Sequence, residues 1–75
     1  MKIQIIKGHL TATNKKHIKA LLEAGVLKGK VNKTEYYLNK VSDFLYTVNI
    51  PNYTKSIITG VNERINYFSE FRIIL

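Results

Sequence analysis

The side chains that could perform chemistry are few and widely spaced along the 75 residues. The chain has five carboxylates, two histidines and no cysteine. No carboxylates are spaced in a way that suggests an acid and base pair, and no nucleophile motif is present. His9 and His17 do not lie on adjacent turns of one helix, and no cysteine or acidic cluster is near enough to complete a metal shell. We therefore predict a protein that is not an enzyme and has neither a metal site nor a cofactor.

Lysine is the residue type that stands out, and its distribution is uneven. The net charge is +7, and the first forty residues hold nine lysines against Glu23 and Glu35, while the remainder of the chain is neutral. A half this basic attracts polyanions such as nucleic acid, an acidic protein surface or anionic lipid. The alternative is that the charge only maintains solubility.

One lysine-rich segment shows the spacing of an amphipathic helix. Ile18, Leu21 and Leu22 stand at positions i, i+3 and i+4, so they share one helix face. The other faces carry the charged residues Lys15, Lys16, Lys19 and Glu23. The pattern predicts a short helix with one apolar and several charged faces.

Polar and glycine residues mark the ends of this helix. Thr13 or Asn14 can accept a hydrogen bond from the first free N–H groups, and Gly25 can adopt the left-handed conformation that ends a helix. Lys15 and Lys16 would then lie in the first turn, where the macrodipole disfavours a cation by roughly 0.3 to 1 kcal/mol. An anion bound at the helix start would offset that cost.

The segment from His17 to Gly29, followed by Tyr36 to Leu38, resembles the recognition helix and wing of winged-helix repressors over about a third of the chain. The resemblance implies a helix that enters the major groove of DNA beside a basic hairpin that touches phosphate. The lysines it implicates are Lys15, Lys16, Lys19, Lys28, Lys30 and Lys33. A winged-helix domain has two further helices before the recognition helix, whereas about a dozen residues, predicted as a strand, precede this one.

The residues after the helix combine lysines with aromatic rings. The segment Val26–Lys33 reads as a basic turn or loop, and no nucleotide-binding glycine pattern surrounds Gly29. Its lysines could touch phosphates as point charges. Of the pair Tyr36 and Tyr37, we expect one ring in the core and the other on the surface, where a tyrosine beside lysines can stack on a base. We include Tyr37 among the candidate binding residues.

Alternating apolar residues predict the strands. Met1–Lys7 is predicted to form a strand, and Phe44–Ile50 shows the clearest alternation of apolar and other residues. A turn near 41–43 would pair this second strand with residues 36–40. Pro51–Asn52 would end it. From Thr54 onward helical and strand periodicities compete, and we favour a second hairpin that turns near residues 60–62.

The predicted architecture is one α+β domain over residues 1–75, in the order β-α-β-β-β-β, with the helix packed on one sheet face. A domain this small buries a limited core, so a homodimer or a partner interface would help to stabilise it. The chain lacks cysteine, a long apolar run and a signal-peptide pattern. We expect a soluble cytoplasmic protein without a membrane partner.

Two functional hypotheses follow. The first is electrostatic nucleic-acid binding, to DNA or RNA, through a lysine-rich helix and loop that comprise Lys15, Lys16, Lys19, Lys28, Lys30, Lys33 and Tyr37. Because the basic half contains no arginine, this binding would tolerate many sequences. The second is a non-enzymatic inhibitor or adaptor of the kind encoded by phages and mobile elements, for example in anti-defence, that binds an acidic protein surface.

Overall fold

The computed structural model describes residues 1–55, Gly60 and 62–75, with the backbone alone for 53–55 and 62–64. The elements are β1 (Lys2–Lys7), α1 (Ala12–Glu23), β2 (Lys28–Val31), β3 (Thr34–Lys40), β4 (Leu45–Lys55) and β5 (Asn62–Ile74). The strands form one antiparallel sheet in the order β1-β5-β4-β3-β2. The predicted α+β fold and its element order are confirmed.

The core lies between α1 and one face of the sheet. Ile18 and Leu21 of the helix are buried, as their spacing predicts, and Leu22 is partly buried. Gly29 brings the layers together, because a Cβ at this position would lie 2.8 Å from Cδ2 of Leu21. The helix packs over these inward-facing strand residues: Ile3, Tyr36, Leu38, Tyr46, Val48, Ile50 and Phe71.

The helix begins earlier than predicted and ends as predicted. The N-cap is Thr11, not Thr13 or Asn14: its Oγ1 accepts from Asn14 N at 3.0 Å, and Asn14 Oδ1 accepts from Thr11 N at 3.1 Å. This reciprocal cap needs a side-chain acceptor three residues after the cap, and Thr13 is followed at that spacing by Lys16, whose ammonium group only donates. Lys15 N–H donates to the Thr11 carbonyl and so closes the first turn, whereas Lys16 lies beyond it; the expectation that both lysines lie in the first turn is wrong for Lys16.

The C-terminal end of α1 follows the glycine signal. Gly25 has φ +75° and its N–H donates to the Leu22 carbonyl, while Val26 N–H donates to the Leu21 carbonyl, both at 3.1 Å. This is a Schellman motif, in which glycine accepts the left-handed backbone without steric cost.

The prediction of a basic turn or loop at Val26–Lys33 is wrong for half of the segment, because Lys28–Val31 forms strand β2. Asn32 and Lys33 form a two-residue turn with φ values of +53° and +71°, the geometry of a tight hairpin turn. Lysines and glycine are weak strand formers, so β2 depends on pairing with β3 and on Gly29 under the helix. In the described part of the chain, α1 is preceded by β1 and by no other helix, so the winged-helix resemblance is limited to the helix and hairpin.

Strand β4 confirms the predicted alternation but is longer than predicted. Tyr46, Val48 and Ile50 are buried, and the turn at residues 41–44 joins β3 to β4. The prediction that Pro51 and Asn52 end the strand is wrong, because β4 continues to Lys55.

Strand β4 tolerates Pro51 because successive residues direct their backbone N–H and C=O groups to opposite sides of the strand. The Phe44 carbonyl accepts from Ile73 N, so even-numbered residues of β4 direct their backbone groups to β5 and odd-numbered ones to the β3 side. Pairing with β3 ends at Asn49. The N–H that Pro51 lacks would therefore meet no neighbouring strand.

Strand β5 is an internal strand, since it pairs with β1 on one side and with the whole length of β4 on the other. This confirms the predicted strand at its C-terminal half. The predicted hairpin turn near residues 60–62 falls partly on residue 61, which lies outside the described residues, and Asn62 is already the first residue of β5. Beyond Asn49, β4 and β5 continue as a two-stranded arm, which we call the β4–β5 arm. No helix in the described part of the chain is long and apolar enough to cross a bilayer.

Gly8 provides a test of the close approach between β1 and β5. Its φ is +88°, and an added Cβ would lie 2.5 Å from Ser69 Oγ and 2.7 Å from the Phe68 carbonyl oxygen. We expect Gly8→Ala to lower the free energy of unfolding, measured in urea, by about 3 kcal/mol through combined backbone strain and overpacking. Gly25→Ala is the matched control, because it has a positive φ with nothing within 4 Å, and should cost only about 1 kcal/mol. Equal losses of stability would contradict the close approach as the cause.

Candidate functional site

The helix-free face of the sheet carries a row of four aligned side chains. Cross-strand pairing places Lys28 opposite Tyr37, Tyr37 opposite Asn49, and Asn49 opposite Phe68. Their inward-facing neighbours, including Tyr36, are buried, so these four point away from α1. We call Lys28, Tyr37, Asn49 and Phe68 the aromatic row.

Two aromatic rings stand exposed within this row. Tyr37 is 44% exposed and Phe68 is 52% exposed. Because adjacent strands are about 4.8 Å apart, the two residues lie roughly 10 Å from each other with Asn49 between them. A flat face with two separated rings can offer stacking surfaces to planar groups.

Asn49 is an unusual residue for the middle of a central strand, where branched and aromatic side chains are favoured. Its Oδ1 atom is buried and accepts no hydrogen bond from the described residues. An unsatisfied buried acceptor costs about 1–3 kcal/mol of stability. A side chain that weakens the fold at the centre of an exposed face is a candidate for ligand contact.

The charges around the row are mostly positive. Lys30 stands opposite Glu35, and the Glu35 carboxylate accepts a 2.9 Å hydrogen bond from the Tyr37 hydroxyl, which orients that ring. Strand alternation gives the helix-free face two carboxylates, Glu35 and Glu70. Among the residues whose side chains the structure describes, alternation assigns four cations to this face, and the register shift in β1 that places Lys7 opposite Glu70 adds a fifth: Lys2, Lys28, Lys30, Arg72 and Lys7.

The seven sequence-predicted binding residues do not form one surface. Lys28, Lys30 and Tyr37 lie together on the helix-free face, and Lys33 lies in the β2–β3 turn. The helix lysines are in the other layer: Lys15, Lys16 and Lys19. Sequence reasoning missed Asn49 and Phe68, although the strand alternation that buries Val48 and Ile50 also places Asn49 on the opposite face.

A buried tyrosine attaches the start of α1 to the sheet. The hydroxyl of Tyr36, fully buried, accepts from Asn14 Nδ2 at 3.0 Å and lies 2.8 Å from His17 Nδ1. The Tyr36 hydroxyl is therefore hydrogen-bonded to two side chains of α1 at once, and the direction of its bond to His17 Nδ1 depends on the histidine tautomer. The rings of His17 and Tyr36 meet edge to face at 5.7 Å.

The second histidine also makes structural contacts. His9 N donates to Ser69 Oγ at 3.2 Å, and that hydroxyl donates to the His9 carbonyl at 3.1 Å. Among the described residues, no three side chains of the metal-ligating types come together. The backbone of His9 and the ring of His17 thus contribute to packing and to loop attachment.

No protein-family model, curated protein or solved structure matches this chain. Its function must therefore be inferred from the geometry of the helix-free face and from the distribution of charge.

The Tyr36 hydroxyl can be tested against its neighbour in the same strand. Tyr36→Phe leaves Asn14 Nδ2 and His17 Nδ1 without their shared partner, and we expect a loss of about 1–3 kcal/mol in unfolding free energy. Tyr37→Phe removes a hydroxyl whose bond to Glu35 is exposed, and should change stability by no more than about 0.5 kcal/mol. Urea denaturation of both variants measures the difference; a Tyr36→Phe protein as stable as the parent would refute the anchoring role.

Proposed function

We propose that this protein binds single-stranded nucleic acid on the helix-free face of its sheet. The observation that carries the proposal is the aromatic row, in which two exposed rings flank Asn49 and Lys28 stands beside Tyr37. Stacking of a base on a protein ring contributes about 1–3 kcal/mol and tolerates any base. Lysines at the border of the row contact phosphates as point charges.

A single strand fits this face better than a duplex does. Exposed rings on a sheet can stack only on bases that are free of their partners, and a duplex hides its base faces. The net charge of +7 supplies attraction for either form. Lys16 and its neighbours on α1 then contribute to the long-range field from the opposite layer and not to direct contact.

Asn49 adds a capacity to read the base that lies between the rings. The amide of asparagine can pair with the edge of adenine through one donor and one acceptor. Because Oδ1 is buried, a base can reach the amide only if the Asn49 side chain turns outward, and that movement would give the unsatisfied acceptor a partner. The proposal therefore includes a modest base preference on a mainly sequence-tolerant platform.

Replacing Asn49 should separate stability from binding. Asn49→Val removes the unsatisfied acceptor and introduces a branched strand former, so we expect a gain of about 1 kcal/mol in unfolding free energy. The same variant should lose base preference among homopolymeric single strands, measured by fluorescence anisotropy. A variant that is both less stable and equally selective would contradict the assignment.

The lysines and rings of the proposed face can be tested with charge-matched variants. Tyr37→Ala and Phe68→Ala should each weaken binding about 5-fold to 150-fold, because each variant removes the ring on which one base stacks. Lys28→Gln with Lys30→Gln should reduce the slope of log affinity against log salt by about 0.7 for each phosphate that is no longer neutralised.

Lys16→Gln with Lys19→Gln removes the same charge from the helix layer and is the control, with an expected smaller effect on both affinity and slope. Equal effects of the two pairs would show that binding is a general electrostatic attraction. Failure of the parent protein to bind any single strand at low salt would refute the proposed function.

A second candidate function is a non-enzymatic inhibitor or adaptor that binds an acidic protein surface. The observation that favours it is the same combination of exposed rings and bordering lysines, because aromatic residues are enriched at protein interfaces. Under this alternative, the protein shows no nucleic-acid affinity at low salt. A pull-down from its host would then recover one acidic partner that Tyr37→Ala and Phe68→Ala both release.

A further inference from the structure

A cleft opens where the β2–β3 hairpin and the β4–β5 arm diverge. The two strands that line the opening, β3 and β4, pair only up to the contact of Tyr37 with Asn49, and beyond it their backbones separate. The space between them has a volume of about 860 Å³. Sites for small molecules and cofactors typically span about 300–1,000 Å³.

The two walls of the cleft differ in chemistry. The hairpin wall includes Lys30 and Lys33, and the arm wall includes Ile50, Pro51 and the half-exposed Tyr67. A nucleotide has the matching division, with an anionic phosphate at one end and a planar base at the other. The cleft is therefore suited to a phosphate on the lysine side and a base on the apolar side.

The charges favour an anion within the cleft. Its one carboxylate among the described lining residues, Glu35, already accepts the Tyr37 hydroxyl. Thr11 and Asn14 at the start of α1 line the same space, and the positive end of a helix dipole adds to the two lysines.

The cleft is also continuous with the aromatic row. Phe68 belongs to the row and lines the cleft, and Lys30 lies beside the row and lines the cleft. A strand that stacks on Phe68 can therefore continue into the opening without leaving the protein surface.

We propose that the cleft binds the terminal nucleotide of a single strand through its phosphomonoester. This inference rests on the proposed function and extends it from the strand to its end. A terminal monoester carries a charge of roughly −1.5 to −2, against −1 for an internal diester, so two lysines distinguish the terminus from the interior of the strand. The protein would then prefer phosphorylated ends to hydroxyl ends.

The experiment compares short oligonucleotides of one sequence with a 5′-phosphate, a 3′-phosphate or hydroxyls at both ends. We expect one phosphorylated form to bind about tenfold more tightly than the hydroxyl form, the size expected for a charge-assisted contact. A nucleoside monophosphate alone should bind weakly and compete only with that phosphorylated form.

Lys33→Asn tests the cleft separately, because asparagine tolerates the left-handed backbone at this position while the charge is removed. This variant should lose the preference for a phosphorylated end and retain most of its binding to the hydroxyl form. Lys16→Gln, which removes one charge from α1, should retain the preference. Thermal unfolding of both variants confirms that each is folded.

The outcomes separate the two proposals. Equal affinity for all three oligonucleotides would overturn the terminal-phosphate site and leave the sheet platform intact. Absence of binding to the hydroxyl form would overturn the proposed function. In that case, binding of the free nucleoside monophosphate would support a phosphate site in the cleft, and its failure to bind would refute that site too.

Discussion

The buried hydroxyl of Tyr36 is the contact on which the arrangement of the two layers depends. It joins Asn14 and His17 of α1 to the middle of β3, and Asn14 at the same time closes the helix cap with Thr11. One hydroxyl therefore couples the start of the helix, the ring of a histidine and the core of the sheet. Such a buried network is favourable only when all members are satisfied, which fixes the position of α1 over the strands.

This arrangement leaves one sheet face without a covering layer. A single helix of twelve residues covers one side of five strands, and the chain has no second described helix for the other side. The free face is occupied by charged, polar and aromatic side chains, and Asn49 lies at its centre with an unsatisfied acceptor. Stability alone would favour a branched residue there, so the composition of the face points to contact with a ligand.

Positive charge by itself does not locate the binding surface, because lysines occupy both layers. Lys16 on α1 and Lys28 on β2 face opposite directions, and both add to the field that attracts an anion. The two faces differ in that the exposed rings of Tyr37 and Phe68 lie in one row with Asn49 on the helix-free face, which is the proposed binding surface. The cleft beside the β4–β5 arm then extends the same surface, because Phe68 and Lys30 belong to both.

The sequence by itself determined those features that depend on neighbours along the chain. The spacing of Ile18 and Leu21, the glycine at 25 and the alternation of Tyr46, Val48 and Ile50 each act within one element, so their outcome could be predicted locally. The tertiary structure decided the rest. Strand β2 exists because β3 pairs with it and Gly29 fits under Leu21. Pro51 is tolerated because the pairing of β4 with β3 ends at Asn49.

The aromatic row belongs to this second group. Lys28 and Phe68 are forty positions apart in the sequence and come into one line only through the register of four strands. A shift of one residue in the register of one of these strands would turn its member of the row from the free face to the core. Local patterns determine which face of a strand a residue occupies, whereas hydrogen bonding between distant strands determines which residues meet.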